Sequence, residues 1–152
     1  MSGRWLAWLL AVALTLALVG QTVRWRNRIA AGRLLHRVET LTLAAARRGS
    51  APRGLLGANL EALRRAGALD PLEVGVPIAR GTQHLLFGDP EAALEAYRAA
   101  AALEPRPEVY LNLGRAALAA GRTAEAQRWF ALSIRLDPRL AASVPPAMQG
   151  GR

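Results

Sequence analysis

Hydrophobic residues follow two different patterns along this 152-residue chain. Residues 5–23 form an apolar segment without a single charged side chain. Beyond residue 25, apolar residues recur at steps of three and four, which places them on one face of a helix. No segment shows the two-residue alternation that a half-buried strand requires. The pattern therefore predicts an all-α fold.

The apolar segment at the amino terminus has the length of a membrane-spanning helix. Its 19 residues, at about 1.5 Å per residue, cover the roughly 30 Å hydrocarbon core of a bilayer. A cleaved signal peptide is the alternative, but most positions offer a poor pair of small residues for cleavage, and Arg24 follows directly. We predict an uncleaved anchor over residues 1–24, flanked by interfacial tryptophans at positions 5, 8 and 25.

The net charge of +9 is concentrated beside this segment. Residues 1–53 contain nine arginines and one acidic residue, whereas residues 54–152 contain eleven arginines and ten acidic residues. Because the second part is nearly neutral, the charge distribution does not favour nucleic acid as a partner. The arginines next to the apolar segment are predicted to face anionic lipid headgroups. They are Arg24, Arg26, Arg28, Arg33 and Arg37.

The same arginines predict the orientation of the chain in a membrane. Only Arg4 precedes the apolar segment, so the positive-inside rule places the rest of the chain in the cytoplasm. A short amino tail with one basic residue is also typical of bacterial anchors with exported domains, which makes the periplasm the alternative. All twenty basic residues are arginine, which indicates GC-rich coding, so the high basicity says little about arginine-specific recognition. We predict a single-pass bacterial inner-membrane protein. The absence of cysteine from the sequence excludes disulfides and thiolate metal sites.

Residues 77–105 and 110–138 repeat one another at a spacing of 33 residues. Glycine inside a helix costs about 1 kcal/mol relative to alanine, so a repeated helical glycine predicts that a neighbouring group leaves no room for a side chain. A second repeated glycine is predicted to end the first helix, and a repeated proline the second helix. The shared pairs are Gly81/Gly114, Gly88/Gly121, Ala93/Ala126, Tyr97/Phe130, Leu103/Leu136 and Pro105/Pro138.

The second copy resembles the tetratricopeptide repeat family. The residues that carry the resemblance are Tyr110, Leu113, Gly114, Ala117, Ala126, Phe130 and Pro138, with alanine where the family has its second aromatic residue. The first copy is looser, because Pro77, Arg80 and His84 replace the first aromatic residue, the leucine and the second aromatic residue. The resemblance implies two packed antiparallel helices per repeat.

A third, degenerate repeat is predicted between the anchor and the two clear copies. Leu69-Asp70-Pro71 reproduces the ending of both clear repeats, and about three repeats are needed to bury a continuous core. Its opening helix is predicted from about Trp25 to Arg48, with one apolar stripe that includes Leu41. Its second helix is predicted to start after Pro52 and to end at about Ala66. The predicted organisation is therefore an anchor, a juxtamembrane helix pair, two tetratricopeptide repeats and a flexible tail, over residues 1–24, 25–71, 72–138 and 139–152.

The last repeat is predicted to present an uncovered apolar edge. Only 14 residues follow Pro138, and their prolines and glycines leave room for a turn or two of helix. Trp129, Leu132 and Leu136 are therefore expected to be partly open, and a partner subunit or a second copy of the chain would cover them. A fragment beginning near Arg48 is expected to self-associate.

Residues suited to catalysis are scarce in the sequence. His36 and His84 are the only histidines, too few for a histidine-based metal site, and His84 takes a core position of the repeat. Glu91 and Glu95 lie in the first turns of a predicted helix, where surface acids stabilise the helix dipole. Trp129 is expected to pack or to contact a partner rather than a nucleic-acid base. The sequence predicts no enzyme activity, cofactor or metal.

The resemblance implies that the chain binds protein. In the family, the first helices of successive repeats line a concave groove that holds a segment of a partner. Carried over to this chain, the groove comprises Ile78, Thr82, Leu85, Leu86, Glu108, Leu111, Asn112, Arg115 and Leu118. Some of the apolar members are expected in the core, and Asn112 and Arg115 are the polar anchors. A mainly apolar groove favours an amphipathic helix or an apolar strand as the bound segment.

These features predict a membrane-anchored adaptor that assembles a membrane or envelope complex. One alternative is a permanent structural subunit of such a complex, in which the last repeat could also pair with a second copy of the chain. Another is a protein whose basic segment binds lipid or nucleic acid as its main function.

Overall fold

The computed structural model describes residues 3–48 and 52–149 of the chain. These ranges contain no strand, which confirms the predicted all-α fold. After the last α-helix, two short 3-10 helices cover Pro138–Ser143 and Pro146–Met148. The α-helices are α1 (Gly3–Arg47), α2 (Arg53–Leu69), α3 (Gly75–Leu86), α4 (Pro90–Leu103), α5 (Pro107–Ala119) and α6 (Thr123–Leu136).

Consecutive helices pair into three hairpins, α1 with α2, α3 with α4 and α5 with α6. Each hairpin also packs on the next one, through α2 against α3 and α4 against α5. The first helices of successive hairpins approach one another, whereas within the described ranges the backbones of α2, α4 and α6 do not. The array therefore curves with α1, α3 and α5 on its inner face, as expected for a repeat array.

Glycine and proline set the ends of the helices. Gly88 and Gly121 adopt the left-handed conformation, with φ of 78° and 75°, directly after α3 and α5. This confirms their predicted role, since only glycine adopts that conformation at low cost. The side chain of Asp89 then accepts a hydrogen bond of 3.1 Å from the backbone N–H of Ala92 and caps α4, whose first residue is Pro90.

The two clear repeats are built around a glycine that faces an aromatic ring. A Cβ atom at Gly81 would lie 2.6 Å from Cε1 of Tyr97, and one at Gly114 would lie 2.5 Å from Cδ1 of Phe130. Both rings are buried. The prediction that a neighbouring group excludes a side chain at these glycines is confirmed, and the excluding group is the ring of the second helix.

Helix α1 is continuous and is the longest element of the structure. Its 45 residues extend about 67 Å at the usual rise per residue. Residues 7–19 are exposed throughout, because no other described part of the chain packs on them. Among the described residues, α1 is the one helix long and apolar enough to cross a membrane. The boundary predicted after residue 24 falls inside this helix, which continues without a break into the repeat array.

The second half of α1 forms the first hairpin with α2. Ala31 and Val38 of α1 are buried against Leu63 and Ala66 of α2 and against the start of α3. Leu41 departs from the predicted apolar stripe, because it is 41% exposed on the outer side of the hairpin. Ala31, which the predicted stripe did not include, is instead 1% exposed and part of the buried cluster with α2 and α3.

The segment after α6 folds back onto the last hairpin. Both 3-10 helices contact α6, and the first also contacts α5. Val144 is buried in the same cluster as Phe130, with Leu140 and Met148 at its border. The structure describes residues 139–149 of the predicted flexible tail. These residues pack on α5 and α6 and therefore cover part of the last repeat.

Candidate partner-binding groove

A groove of about 570 Å³ lies on the inner face between α1 and α3. One wall comes from the second half of α1 and the other from α3, and Arg106 stands at the end nearest the start of α5. The lining residues are Val38, Glu39, Thr42, Leu43, Gly75, Ile78, Ala79, Thr82, Gln83, Leu86 and Arg106. The groove is therefore a property of the junction between the degenerate repeat and the first clear repeat.

A buried polar network holds the two walls of the groove at a fixed separation. Asn59 of α2 donates a hydrogen bond of 2.9 Å from Nδ2 to Oε1 of Gln83, and Gln83 donates from Nε2 to the hydroxyl of Thr42. The hydroxyl of Thr42 in turn donates to the carbonyl of Val38. Asn59 and Gln83 are each 1% exposed. Since buried amides are costly unless bonded, this network fixes α1, α2 and α3 relative to one another.

The rim of the groove is apolar at one end and charged at the other. Leu43 and Leu86 are 53% and 40% exposed, although each is a large apolar side chain. At the other end, Nη2 of Arg106 donates a hydrogen bond of 2.6 Å to Oε2 of Glu104. This bond lowers the pKa of the Glu104 carboxyl, so the pair is ionised at neutral pH. The site can therefore bury apolar side chains beside the Arg106–Glu104 ion pair.

Three of the predicted groove residues line this groove, namely Ile78, Thr82 and Leu86. Leu85 does not, because it packs against the core formed by α4, α5 and α6. The hydroxyl of Thr82 also lies 3.2 Å from the hydroxyl of Tyr97, so the groove surface is linked to the buried ring that faces Gly81. Burial raises the pKa of Tyr97, which keeps its hydroxyl protonated at neutral pH.

The predicted groove residues of α5 lie elsewhere. Leu111 is wrong as an accessible groove residue: it is 5% exposed and belongs to the buried cluster that contains Val144. The physical reason is that the segment after α6 packs on α5, with the first 3-10 helix in contact with α5 and Val144 in the same cluster. Arg115 Nη2 accordingly donates to the carbonyl of Ser143 at 3.5 Å, and Arg115 Nη1 to Oδ1 of Asn112 at 3.4 Å. Leu118 packs on the same cluster, and Glu108 is exposed.

Sequence reasoning missed the contribution of α1 to the groove. Glu39, Thr42 and Leu43 line the groove but lie outside the predicted set, which comes from the two clear repeats alone. A signal was present nevertheless: Leu69-Asp70-Pro71 indicates that the helix pair before it is a repeat, and the first helix of a repeat lines the inner face.

The basic residues that follow the apolar segment are all exposed along α1. One of them is bonded within the chain: Arg28 Nε donates to Oδ2 of Asp70 at 3.3 Å, which joins α1 to the end of α2. The others in this set are Arg24, Arg26, Arg33 and Arg37.

Three residues that could in principle take part in metal binding, catalysis or base stacking are instead engaged in contacts within the fold. His84 is partly buried, with Nδ1 at 3.6 Å from Oδ2 of Asp89, and Glu91 accepts a hydrogen bond of 2.6 Å from Arg122. Trp129 stacks on Tyr110, with ring centroids 5.8 Å apart and planes inclined by 7°. Within residues 3–48 and 52–149, no group of three or more acidic residues or histidines has an arrangement that could hold a metal ion.

The outer face of α6 carries a shallow concavity of about 770 Å³. Trp129 and Leu132 are partly exposed there, and Leu136 is 51% exposed at the end of the helix. Trp129 Nε1 donates to Glu125, which also accepts a hydrogen bond from Arg98 of α4, and these bonds lower the pKa of Glu125. The residues around the concavity are Arg122, Thr123, Ala124, Glu125, Arg128, Trp129, Leu132 and Arg135.

Three helical hairpins stack on one another, and each clear copy of the repeat has a glycine packed against an aromatic ring. This arrangement defines a helical-repeat scaffold for protein–protein interaction.

The tetratricopeptide repeat family profile matches residues 107–140, which cover α5, α6 and the start of the first 3-10 helix. A crystal structure of a thermophilic tetratricopeptide repeat protein from Thermus thermophilus is similar, with 27% identity and a TM-score of 0.65 over 87% of this chain and 72% of that one. No curated protein matches the chain significantly. Residues 107–140 are therefore a tetratricopeptide repeat, and the fold of the chain is similar to that of a solved tetratricopeptide repeat protein.

Proposed function

We propose that this protein is a membrane-anchored adaptor that holds a segment of a partner protein in the groove between α1 and α3. The observation that carries the proposal is the continuity of α1. Its first half is an exposed apolar helix, and its second half is a wall of the groove. An anchor and a binding site on one helix would hold the partner at a set height above the membrane.

The composition of α1 supports insertion of its first half into a bilayer. Large apolar side chains project on every side of this half, including Trp8 at 74% and Leu16 at 67% exposure. Exposed apolar surface of this extent is unusual on a soluble helix, whereas a helix surrounded by lipid is apolar on all faces. The charged residues begin at Arg24, where the helix would meet the headgroups.

The lining of the groove supports a particular kind of partner segment. The leucines of the rim would cover apolar side chains that recur on one face of a helix or along one side of a strand. An acidic residue of the partner would lie beside Arg106. We therefore propose an amphipathic helix or an apolar strand with an acidic residue at one end as the bound segment.

Charge placed on the rim of the groove is expected to weaken partner binding. Changing both Leu43 and Leu86 to Glu would put two carboxylates where the partner buries apolar surface. Both side chains are at least 40% exposed, so the fold should persist. A loss of ten- to a hundredfold in affinity is expected, corresponding to about 1.4–2.8 kcal/mol. The measurement is the amount of partner that copurifies with the full chain from solubilised membranes.

The variant Leu41→Glu is the matched control for this experiment. Leu41 lies on the same helix with 41% exposure, but it lines the outer side of the α1–α2 hairpin instead of the groove. Loss of the partner from both variants, or from neither, would contradict binding in the groove. A partner that stays bound at fixed stoichiometry in high salt would favour a permanent subunit over an exchangeable adaptor.

The repeat domain is expected to face the cytoplasm of a bacterial cell. This expectation follows from the five arginines after the apolar segment against one before it. Because the sequence has no cysteine, Ser143→Cys introduces a single thiol, at an exposed position. It should react with a membrane-impermeant maleimide only after the cells are broken. Labelling in intact cells would instead place the domain in the periplasm.

A further inference from the structure

We propose that the turn between α2 and α3 rests on the bilayer and inserts Leu72 into its interface, as a second membrane contact beside α1. The occupant of this surface is the lipid in which α1 itself is anchored. The inference therefore rests on the proposed membrane anchoring, and it adds an orientation: the α2–α3 turn faces the membrane and the opposite end of α3 faces away from it.

The first observation is the exposure of Leu72. The backbone N–H of Glu73 donates to the carbonyl of Asp70 at 3.2 Å, which closes a β-turn with Pro71 and Leu72 at its two central positions. Leu72 is 77% exposed, the highest value among the exposed large hydrophobic residues of the described chain. Central positions of turns usually hold glycine or small polar residues. Nothing in the turn requires an apolar side chain at this position.

The second observation is the place of the turn along α1. Asp70 is bonded to Arg28, and a Cβ atom at Gly75 would meet the side chain of Leu35, so the two ends of the turn lie beside residues 28–35 of α1. Trp25, the tryptophan expected at the membrane interface, precedes Arg28 by three residues, which is about 4.5 Å of helix. The turn therefore lies where α1 would emerge from the bilayer.

The third observation is the charge around the turn. Its two carboxylates are engaged within the chain, Asp70 with Arg28 and Glu73 with the backbone N–H of Gly75 at 3.0 Å. Arg24, Arg26 and Arg33 are exposed on the adjoining part of α1. Anionic headgroups would therefore meet a surface dominated by cations, which favours contact with lipid.

The equivalent positions of the other repeats support the assignment. Each hairpin is followed by an acid-proline pair, and the residue after the proline is Leu72, Arg106 or Arg139. Leu72 is the apolar residue of the three, and it follows the hairpin that contains α1. A turn that meets the interface is expected to carry an apolar residue, whereas the other two turns carry a cation in the same place.

The inference can be tested with three single-cysteine variants of the full chain, each labelled with the same environment-sensitive fluorophore. They are Leu72→Cys in the turn, Leu86→Cys at the far end of α3 and Ala13→Cys in the apolar half of α1. Leu86 is the matched control, because it is also an exposed leucine, with 40% exposure. Each variant is reconstituted in vesicles of phosphatidylethanolamine and phosphatidylglycerol, and its helical content is checked by circular dichroism.

Quenching by nitroxide lipids then reports the depth of each label. With the nitroxide near the headgroup, the label at residue 72 is expected to be blue-shifted and quenched, and the label at residue 86 to remain bright. The label at residue 13 is expected to be quenched by a nitroxide deep in the acyl chains. If residue 13 is quenched and residue 72 behaves like residue 86, the second contact is wrong and the anchor stands. If residue 13 is not quenched, both the anchor and the contact are wrong.

Discussion

Removing residues 1–47 is expected to unfold the first part of the repeat array, whereas removing residues 1–23 leaves the array folded. The second half of α1 buries Ala31 and Val38 against α2 and α3, with Leu34 and Leu35 beside them. A buried aliphatic side chain contributes about 1.5–3 kcal/mol, so the longer deletion removes on the order of 5 kcal/mol. This is comparable with the total stability of a small domain.

The two fragments can be compared by thermal unfolding, followed by circular dichroism, and by sedimentation. The fragment that begins at Arg24 should unfold cooperatively, and the fragment that begins at Arg48 should lose helix and aggregate. Equal stability of the two would contradict the assignment of α1 to the first hairpin. The two fragments also separate two possible sources of self-association. Aggregation of the shorter fragment would be explained by Leu63 and Val76, which lose their cover when α1 is removed. Self-association of the longer fragment would instead indicate contact through the outer face of α6.

Replacing Gly114 by alanine is expected to destabilise the protein by about 1–3 kcal/mol, the usual cost of overpacking a core. Inside a helix this substitution ordinarily stabilises, because alanine is the better helix former by about 1 kcal/mol. Here the added Cβ atom would lie 2.5 Å from the ring of Phe130. The ring is 0% exposed and surrounded by other core residues, so it has little space into which to move.

Gly57→Ala is the matched control, since Gly57 also lies inside a helix and a Cβ atom there would meet nothing within 4 Å. Its midpoint of denaturation should rise, while that of Gly114→Ala should fall. Combining Gly114→Ala with Phe130→Leu should cost less than the sum of the two single changes, because the smaller side chain relieves the clash. A stabilising Gly114→Ala, or strict additivity with Phe130→Leu, would contradict the glycine–aromatic contact.

The repeat architecture could be predicted from the sequence because its determinants are local. The left-handed glycines at 88 and 121, the prolines after each hairpin and the glycine–ring pairs recur at one spacing, and each acts through its nearest neighbours. These residues specify a hairpin wherever it occurs in the chain. Two clear copies were therefore enough to predict the fold.

The groove was predicted less well because it depends on contacts between hairpins. Thr42, Asn59 and Gln83 come from three helices, and the hydrogen bonds that Gln83 makes with Asn59 and Thr42 span 24 and 41 residues of sequence. An asparagine and a glutamine within amphipathic helices are more often surface residues, so their burial was not visible from periodicity. The wall formed by α1 has a different explanation: the predicted groove was taken from the two clear repeats alone, although Leu69-Asp70-Pro71 marks the helix pair before it as a repeat.

The burial of Leu111 could not be predicted from the repeat pattern either. The family pattern places this residue on the inner face, where a partner would meet it. In this chain the 3-10 helix at Pro138–Ser143 contacts α5, and Val144 joins the same buried cluster as Leu111. A segment rich in proline has no helical periodicity, so its docking position depends on tertiary packing alone.

Photocrosslinking from the groove in intact membranes tests the central claim most directly. A photoreactive amino acid would replace Leu43 on α1, Leu86 on α3 or, as a control, Leu41 on the outer side of the first hairpin. We expect the same protein to be crosslinked from residues 43 and 86 and to be absent from residue 41, and we expect its crosslinked peptide to be amphipathic or apolar. Crosslinks from residue 41 alone, or different proteins from the two walls, would contradict a partner held in the groove.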